Sequence, residues 1–318
     1  MKKILVTGSL AYDFIMDYPD SFADHIIPEK IKTLSVSFDL DHLSRNFGGN
    51  AGNIAYTLAI LQQDATIFSS AGKKDFGIYG KHLKKHKIVT DYINLVADDF
   101  TASAFGMTDK NNCQIWGFYP GALKKNANLS LLSLPNLSSY SYIVLAPPQD
   151  AETIIQFTRE AKKTQLPYMF SPGQKIANMT SEQIKEGITG AALVLLNDYE
   201  LAMINKKTGW GKMDILKKTE IFILTLGAEG SVVETKQESI QIGIVKPKKI
   251  IDPTGAGDSY IAGFLAGHAN GLDLKTCGQI GATAATYTIE NYGTQQHAFT
   301  LNEFKKRYTD TFGESLLM

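Results

Sequence analysis

IIDPTGAGDSYIAGF, residues 250–264, sets Gly255 and Gly257 directly ahead of Asp258 and an apolar repeat. Tyr260, Ile261, Phe264 and Leu265 recur at helical spacing, so a helix is expected over 256–270, starting at the glycines. The free N–H groups of a helix N-terminus, with the dipole behind them, form a site for an anion. Glycine there lets the backbone approach a ligand closely. An acid such as Asp258 in the first turn can be there for the dipole alone. The flanking glycines and Thr254 favour a second account. A phosphoryl group held by the N–H groups around Gly255, Ala256 and Gly257 would lie beside a base able to deprotonate an attacking hydroxyl.

Upstream of this stretch, short apolar runs at 3–9, 142–148, 167–172, 191–198 and 221–227 read as buried strands. Helical spacing separates them at 50–62, 75–87, 149–164, 181–189 and 199–206, and helices follow at 273–290 and 300–313. Such alternation predicts a mostly parallel sheet covered on both faces, with ligands at the carboxyl ends of its strands. The expected class is α/β, one domain over 1–318.

Two stretches break the alternation. KIKTLSVSFDLD (30–41) and TASAFGMTDKNNCQIWGFYPGA (101–122) read as exposed antiparallel strands, the second a hairpin turning at DKNN. Paired, they would form a small β lid contributed by about 14–47 and 100–123; two unrelated edge hairpins are the alternative. Gly48 and Gly49 follow the first of them and serve either a hinge or a plain turn.

Lys plus Arg and Asp plus Glu each number 32, a balance that argues against a nucleic-acid-binding surface. The local cluster of Lys81, Lys84, Lys85 and Lys87 reads as a solvated helix face. Two distant cysteines, Cys113 and Cys277, fit a reducing cytoplasm. No apolar run reaches the length of a membrane span, and a soluble cytoplasmic protein is expected. The six histidines show no ligand spacing, and no zinc site is assigned. DFG at 75–77 lacks the other protein-kinase motifs, so it is set aside.

The ordered motifs carry a resemblance. DPTGAGDSYIAGF is similar to the C-terminal signature of the PfkB, or ribokinase-like, family of sugar and nucleoside kinases. GSLAYD (8–13), GGNAGNIAYTLAIL (48–61), NDYE (197–200) and TLGAEG (225–230) resemble that family's other landmarks, in the family's order. The resemblance spans about residues 3 to 297 and implies a three-layer α/β/α fold with a small β-sheet lid. It implies Asp258 as general base and an anion hole at Gly255, Ala256 and Gly257. Ser9, Asp13, Gly48, Gly49 and Asn53 would meet the acceptor's sugar. Asn197 and Glu200 would organise Mg²⁺ through water, and Thr225, Gly227 and Gly230 would line ATP. Asp252 would serve the substrate or, near Thr254, a monovalent cation such as K⁺.

Taken alone, Asp13 at a strand exit equally suits an Asx-turn, and Asn53 a cap or surface position. Several segments, among them LSVSF, FYPGA and YGTQ, resemble a bacterial branch of adenosine kinases. That branch implies transfer from ATP to the 5′-hydroxyl of adenosine, with Phe118 and Gln174 at the base. Ala104 and Lys175 stand where the branch has a phenylalanine and a second glutamine; Phe105, one residue on, would face the other side of a strand. A kinase of another nucleoside or a free sugar, and a nucleotide-binding regulator without turnover, are the competing readings. An apolar lid face of Phe38, Phe105, Trp116 and Phe118 would suit a homodimer through the lid or cover for the substrate.

Overall fold

The computed structural model describes residues 2–147 and 150–317. Residue 148 of the expected strand 142–148 and residue 149 of the expected helix 149–164 lie outside these.

The chain begins with β1 (Lys3–Thr7), β2 (Ala11–Asp17) and β3 (His42–Gly48), then α1 (Asn50–Ile60), β4 (Asp64–Gly72) and α2 (Phe76–Lys85). Next come β5 (Ile93–Val96), β6 (Ala102–Thr108), β7 (Gln114–Tyr119), β8 (Tyr140–Leu145), α3 (Ala151–Thr164) and β9 (Tyr168–Phe170). They are followed by α4 (Ser181–Ile188), β10 (Leu193–Asn197), α5 (Asp198–Thr208), α6 (Lys212–Leu216) and β11 (Ile221–Thr225). The chain closes with β12 (Ser231–Glu234), β13 (Ser239–Ile242), α7 (Ala256–Ala269), α8 (Leu274–Ile289) and α9 (Leu301–Phe312).

Among the described residues the large sheet has the order β13-β12-β11-β10-β9-β8-β1-β4-β5. It is parallel from β5 to β11, and β12 and β13 close one edge antiparallel. The runs are apolar throughout because both faces are covered. In β1, Ile4 and Val6 enter the core that holds α1, α7 and α8, while the intervening Leu5 enters the core under α3, α4 and α5. The expected α/β/α layering is therefore what forms. α7 and α8 pack at backbone distance: a side chain on Gly263 would meet the Cα of Gly281 at 2.8 Å.

The second sheet has the order β3-β2-β6-β7. Its hairpin turns at 109–112, as expected, with Asn112 left-handed at φ 61°. The segment 30–41 is not a strand. Residues Pro28–Thr33 form a 3₁₀ turn and 34–41 run without a ladder, while β3 begins at His42. Alternation alone provided no partner for it, because β6 already pairs with β2 and β7. Asp13, likewise, lies within β2 of the small sheet and not at the exit of β1.

Register decides which side chains of this sheet face the large one. Asn46, Asp13, Ala104 and Phe118 form one cross-strand row, and Arg45, Phe14, Phe105 and Gly117 form the next, on the opposite face. Phe14 and Phe105 stack there with centroids 5.0 Å apart. Phe105 is thus no stand-in for an aromatic at 104. The single apolar face expected from Phe38, Phe105, Trp116 and Phe118 is divided. Trp116 covers Gly106 on the Asp13 side, and Phe38 packs against Tyr18 and Phe22.

Candidate active site

A cavity of about 720 Å³ opens between the two sheets, within the range of small-molecule sites. The carboxyl ends of the parallel strands supply its floor: Ser9 after β1, Ala146 after β8, Ser171 after β9, Asn197 at the end of β10 and Thr225 at the end of β11. Asp13 and Phe118 reach it from the small sheet, and Phe118 is 54% exposed there.

Asp258 is the third residue of α7 and is only 8% exposed. Gly255 caps the helix at φ 80°, a left-handed conformation that glycine adopts without strain. Gly255 and Gly257 line the cavity. Among the described residues their N–H groups donate to nothing, as expected of a helix start. The Ala256 N–H is different, since it donates to the Pro253 carbonyl at 3.3 Å. The N–H groups left free at the cavity are therefore those of the two glycines.

Two amides hold the Asp258 carboxylate. Asn50 Nδ2 donates to Oδ1 at 2.9 Å, and Asn53 Nδ2 donates to Oδ2 at 2.8 Å. Burial pushes its carboxyl up to about 6, and these two amides pull in the opposite direction. Asn50 escaped the sequence reading. The signal was available: Asn50 and Asn53, one turn apart at the start of α1, share a helix face. Ser9 secures the arrangement by accepting the Asn50 N–H on Oγ at 3.0 Å. Gly49, at φ 87°, caps α1 and leaves room for the Ser9 carbonyl 2.5 Å from where a side chain would begin.

Asp13 is also pushed up to about 6, by burial first and then by Asp252 and Asp258. No described residue donates to its carboxylate, which faces the cavity free to receive hydroxyl groups. Gly48 does not line the cavity. Its missing side chain instead makes the space that the Asp13 carboxylate fills. Asp252 is withdrawn as well, with Oδ1 accepting from Thr254 N–H at 2.9 Å and Oδ2 from Gly293 N–H at 3.2 Å. It braces the loop ahead of α7.

Asn197 and Glu200 form a reciprocal cap on α5: Glu200 N–H donates to Asn197 Oδ1 at 2.8 Å, and Asn197 N–H donates to Glu200 Oε2 at 2.9 Å. The N-x-x-E spacing thus has a structural use, which leaves Glu200 Oε1 without a partner among the described residues at the cavity wall. Burial raises the Glu200 carboxyl, with Asp258 adding to the effect. No group of three His, Cys, Asp or Glu among the described residues could cage a metal directly. A Mg²⁺ retaining its waters fits Glu200. Thr225 lines the cavity, whereas Gly227 and Gly230 are not among its lining residues and Gly227 is exposed. Gly230 packs against the Ile242 carbonyl of β13, 2.2 Å from the position of a side chain. Gln174 and Lys175 both line the cavity, and Lys175 is the one cationic side chain among the described residues to do so.

The pfkB family carbohydrate kinase model matches residues 1–300. The chain belongs to the pfkB family. It is a phosphotransferase with an alcohol as acceptor, and as a kinase it uses a nucleotide donor. A nucleoside kinase of Methanocaldococcus jannaschii is 31% identical over 309 residues, 96% of this chain and 97% of that protein. The nucleoside kinase of Burkholderia thailandensis, solved in complex with inosine, superposes with a TM-score of 0.87 at 30% identity, covering 98% of this chain and 99% of that one. An adenosine kinase of Sinorhizobium meliloti shares the fold at TM-score 0.74 and 20% identity, covering 92% of this chain and 95% of that one. No helix among the described residues is long and apolar enough to cross a membrane.

Proposed function

We propose that the chain is an ATP-dependent nucleoside kinase that transfers the γ-phosphoryl group to the 5′-hydroxyl of a ribonucleoside, with adenosine as the first acceptor to test. The observation that carries this reading is Asp258, a buried carboxylate held by two amides beside the free N–H groups of Gly255 and Gly257. The two relatives at about 30% identity, both nucleoside kinases, support the acceptor class.

Asp13 receives the vicinal hydroxyls of the ribose on its two oxygens. Asp258 accepts the proton of the attacking 5′-hydroxyl as the new O–P bond forms and the bond to ADP breaks. The Gly255 and Gly257 N–H groups stabilise the charge on the transferring group. Glu200, oriented by Asn197, would hold Mg²⁺ through water, and that ion supplies charge neutralisation at the phosphates. Asp252 gives the loop beside Thr254 a negative charge suited to K⁺. The small sheet acts as a lid that excludes water. Its outer face, with Leu43, Phe105 and Ile115 exposed, is the surface for pairing two copies.

A second acceptor reading rests on Ala104 and Lys175. Ala104 leaves open the space beside Phe118, and an ammonium offers donors only, suiting a keto-bearing base better than an amino-bearing one. The test is ADP formation from ATP–Mg²⁺ over adenosine, inosine, cytidine, ribose, fructose and phosphorylated hexoses, with an acceptor-free blank. Turnover confined to nucleosides supports the proposal, and the adenosine-to-inosine ratio ranks the two base readings. Turnover with free sugars alone overturns it. Nucleotide binding without turnover on any acceptor would leave the regulator reading standing.

A further inference from the structure

A line of buried hydrogen bonds runs from the small sheet to the base. Tyr79 on α2 donates its hydroxyl to the Gly48 carbonyl at 2.8 Å, and Gln295 Nε2 donates to that hydroxyl oxygen at 2.7 Å. Gln295 Nε2 also donates to Asn53 Oδ1 at 3.0 Å, and Asn53 Nδ2 donates to Asp258 Oδ2 at 2.8 Å. Tyr79, Gln295 and Asn53 are 0%, 3% and 5% exposed, so water does not substitute for these partners. Gly52 makes room, because a side chain there would begin 1.9 Å from the Tyr79 oxygen.

The direction of every bond in this line is dictated by its first member. A backbone carbonyl only accepts, so Tyr79 must donate to it and present an oxygen lone pair to Gln295. Gln295 must then turn its NH₂ group to Tyr79, and the same group meets Asn53 Oδ1. Asn53 is left with its amide towards Asp258. The Thr294 hydroxyl is 2.7 Å from Asn53 Oδ1, but it also reaches the Phe47 carbonyl at 3.0 Å and has one proton for the two. Gln295 is the donor whose direction is fixed. An inverted Asn53 would set its oxygen against the Asp258 carboxylate.

We propose that Gln295 and Tyr79 are positioning residues of the transfer reaction, which fix the orientation of the Asn53 amide and so keep a hydrogen-bond donor on Asp258. This rests on the reading of Asp258 as the base. Gln295 closes the YGTQ segment, but its spacing gives no sign of this task, since it lies 37 positions from Asp258 and reaches it through Asn53.

Other groups face the same carboxylate. Asp13 from β2 and Glu200 from α5 couple to it, Asp252 couples to Asp13, Asn50 donates to it and Lys175 lines the same cavity. His82 on α2 lies behind Gln295, and burial lowers it to about 4; His297 is lowered likewise, so both imidazoles are neutral where the kinase works. The acid limb of activity is left to the carboxyls.

The test compares wild type, Gln295→Met and Tyr79→Phe, both near-isosteric, with Asp258→Asn in parallel. Removing a donor from the ionised form raises a carboxyl's titration. Gln295→Met is expected to lower kcat on the order of ten-fold, hold the acceptor KM within about two-fold, and move the acid limb of kcat/KM to higher pH. Tyr79→Phe should move the same readouts in the same direction, and it carries the test if Gln295→Met does not fold. A folded variant with unchanged kcat and limb overturns the proposal. So does a fall in kcat matched by a rise in KM with the limb in place. Retained turnover in Asp258→Asn would instead overturn the underlying assignment of the base.

Discussion

A side chain at Gly48 would begin 2.1 Å from Asp13 Oδ2: the carboxylate occupies the volume that the glycine leaves vacant. The two residues are diagonal neighbours across β2 and β3, where Gly48 pairs with Ala11 and Asp13 with Asn46, so one strand carries the acid and the other provides its space. Gly48 is not among the residues with positive φ, so alanine is compatible with its backbone and only the steric effect remains. Gly48→Ala is expected to raise the acceptor KM on the order of ten-fold or more, while nucleotide affinity stays within about two-fold. Steady-state kinetics with each substrate varied in turn checks this.

The acid limb of kcat/KM should lie near pH 6, well above that of an ordinary aspartate. Both Asp258 and Asp13 are raised to about 6 by burial, and the proposed mechanism uses each as a carboxylate, so protonation is expected to remove activity. Below that pH, kcat/KM is expected to fall at least about ten-fold per unit. A plateau extending to about pH 4.5 would contradict the assignment.

How much of this was open to reading depended on burial. In the large sheet β1, β8, β9, β10 and β11 announce themselves, because covering both faces demands unbroken apolar runs, as in LVLLN of β10; β5, β12 and β13, at or near the edges, do not. β4 has no such signal, since its two buried faces include Ser69 and Ser70, small polar residues that bury well and look like a loop. The small sheet is the opposite case. Its strands are half exposed, so KIKTLSVSFDLD carried the expected alternation without a ladder to join. AYDFIMD, which does join one, looked like a strand exit behind the GS turn.

The site divided in the same way. Asp258 and its glycines were legible because they share one helix start. The partners of Asp258 were not, because Asn50 meets it across 208 residues of sequence and Gln295 only through a third side chain. Gly48, Gly230 and Asp252 occur in the motifs as expected, but they act on the walls of the cavity: one makes space, one packs against a strand and one braces a loop.

Stability should depend on Asp13 with a definite sign. Its carboxyl titrates at about 6 in the fold against an ordinary 3.8, so the folded chain binds the proton more tightly than the unfolded one. Its favourable contribution is full below about pH 4 and is lost as pH rises to about 6. Asp13→Asn is expected to stabilise the ligand-free protein by about 1–3 kcal/mol at about pH 8, with no gain at about pH 4. Denaturant melts at the two pH values measure the difference. The same variant should bind the acceptor poorly.

Ala104 offers a specificity test. It shares a cross-strand row with Phe118 on the cavity side, so a ring placed there would face the same space. Ala104→Phe is expected to favour nucleosides over free ribose by a further few-fold in kcat/KM, because an aromatic partner for a base adds about 1 kcal/mol. The control is Phe105→Ala, on the opposite face of the same strand, which should leave that ratio unchanged.

The most direct test is Asp258→Asn, assayed for nucleotide and nucleoside binding by calorimetry and for phosphoryl transfer in a single turnover. Both ligands are expected still to bind, and transfer to slow on the order of 10²–10⁴-fold. Transfer at near the wild-type rate with both ligands bound would contradict the assignment and remove Asp258 from the chemistry.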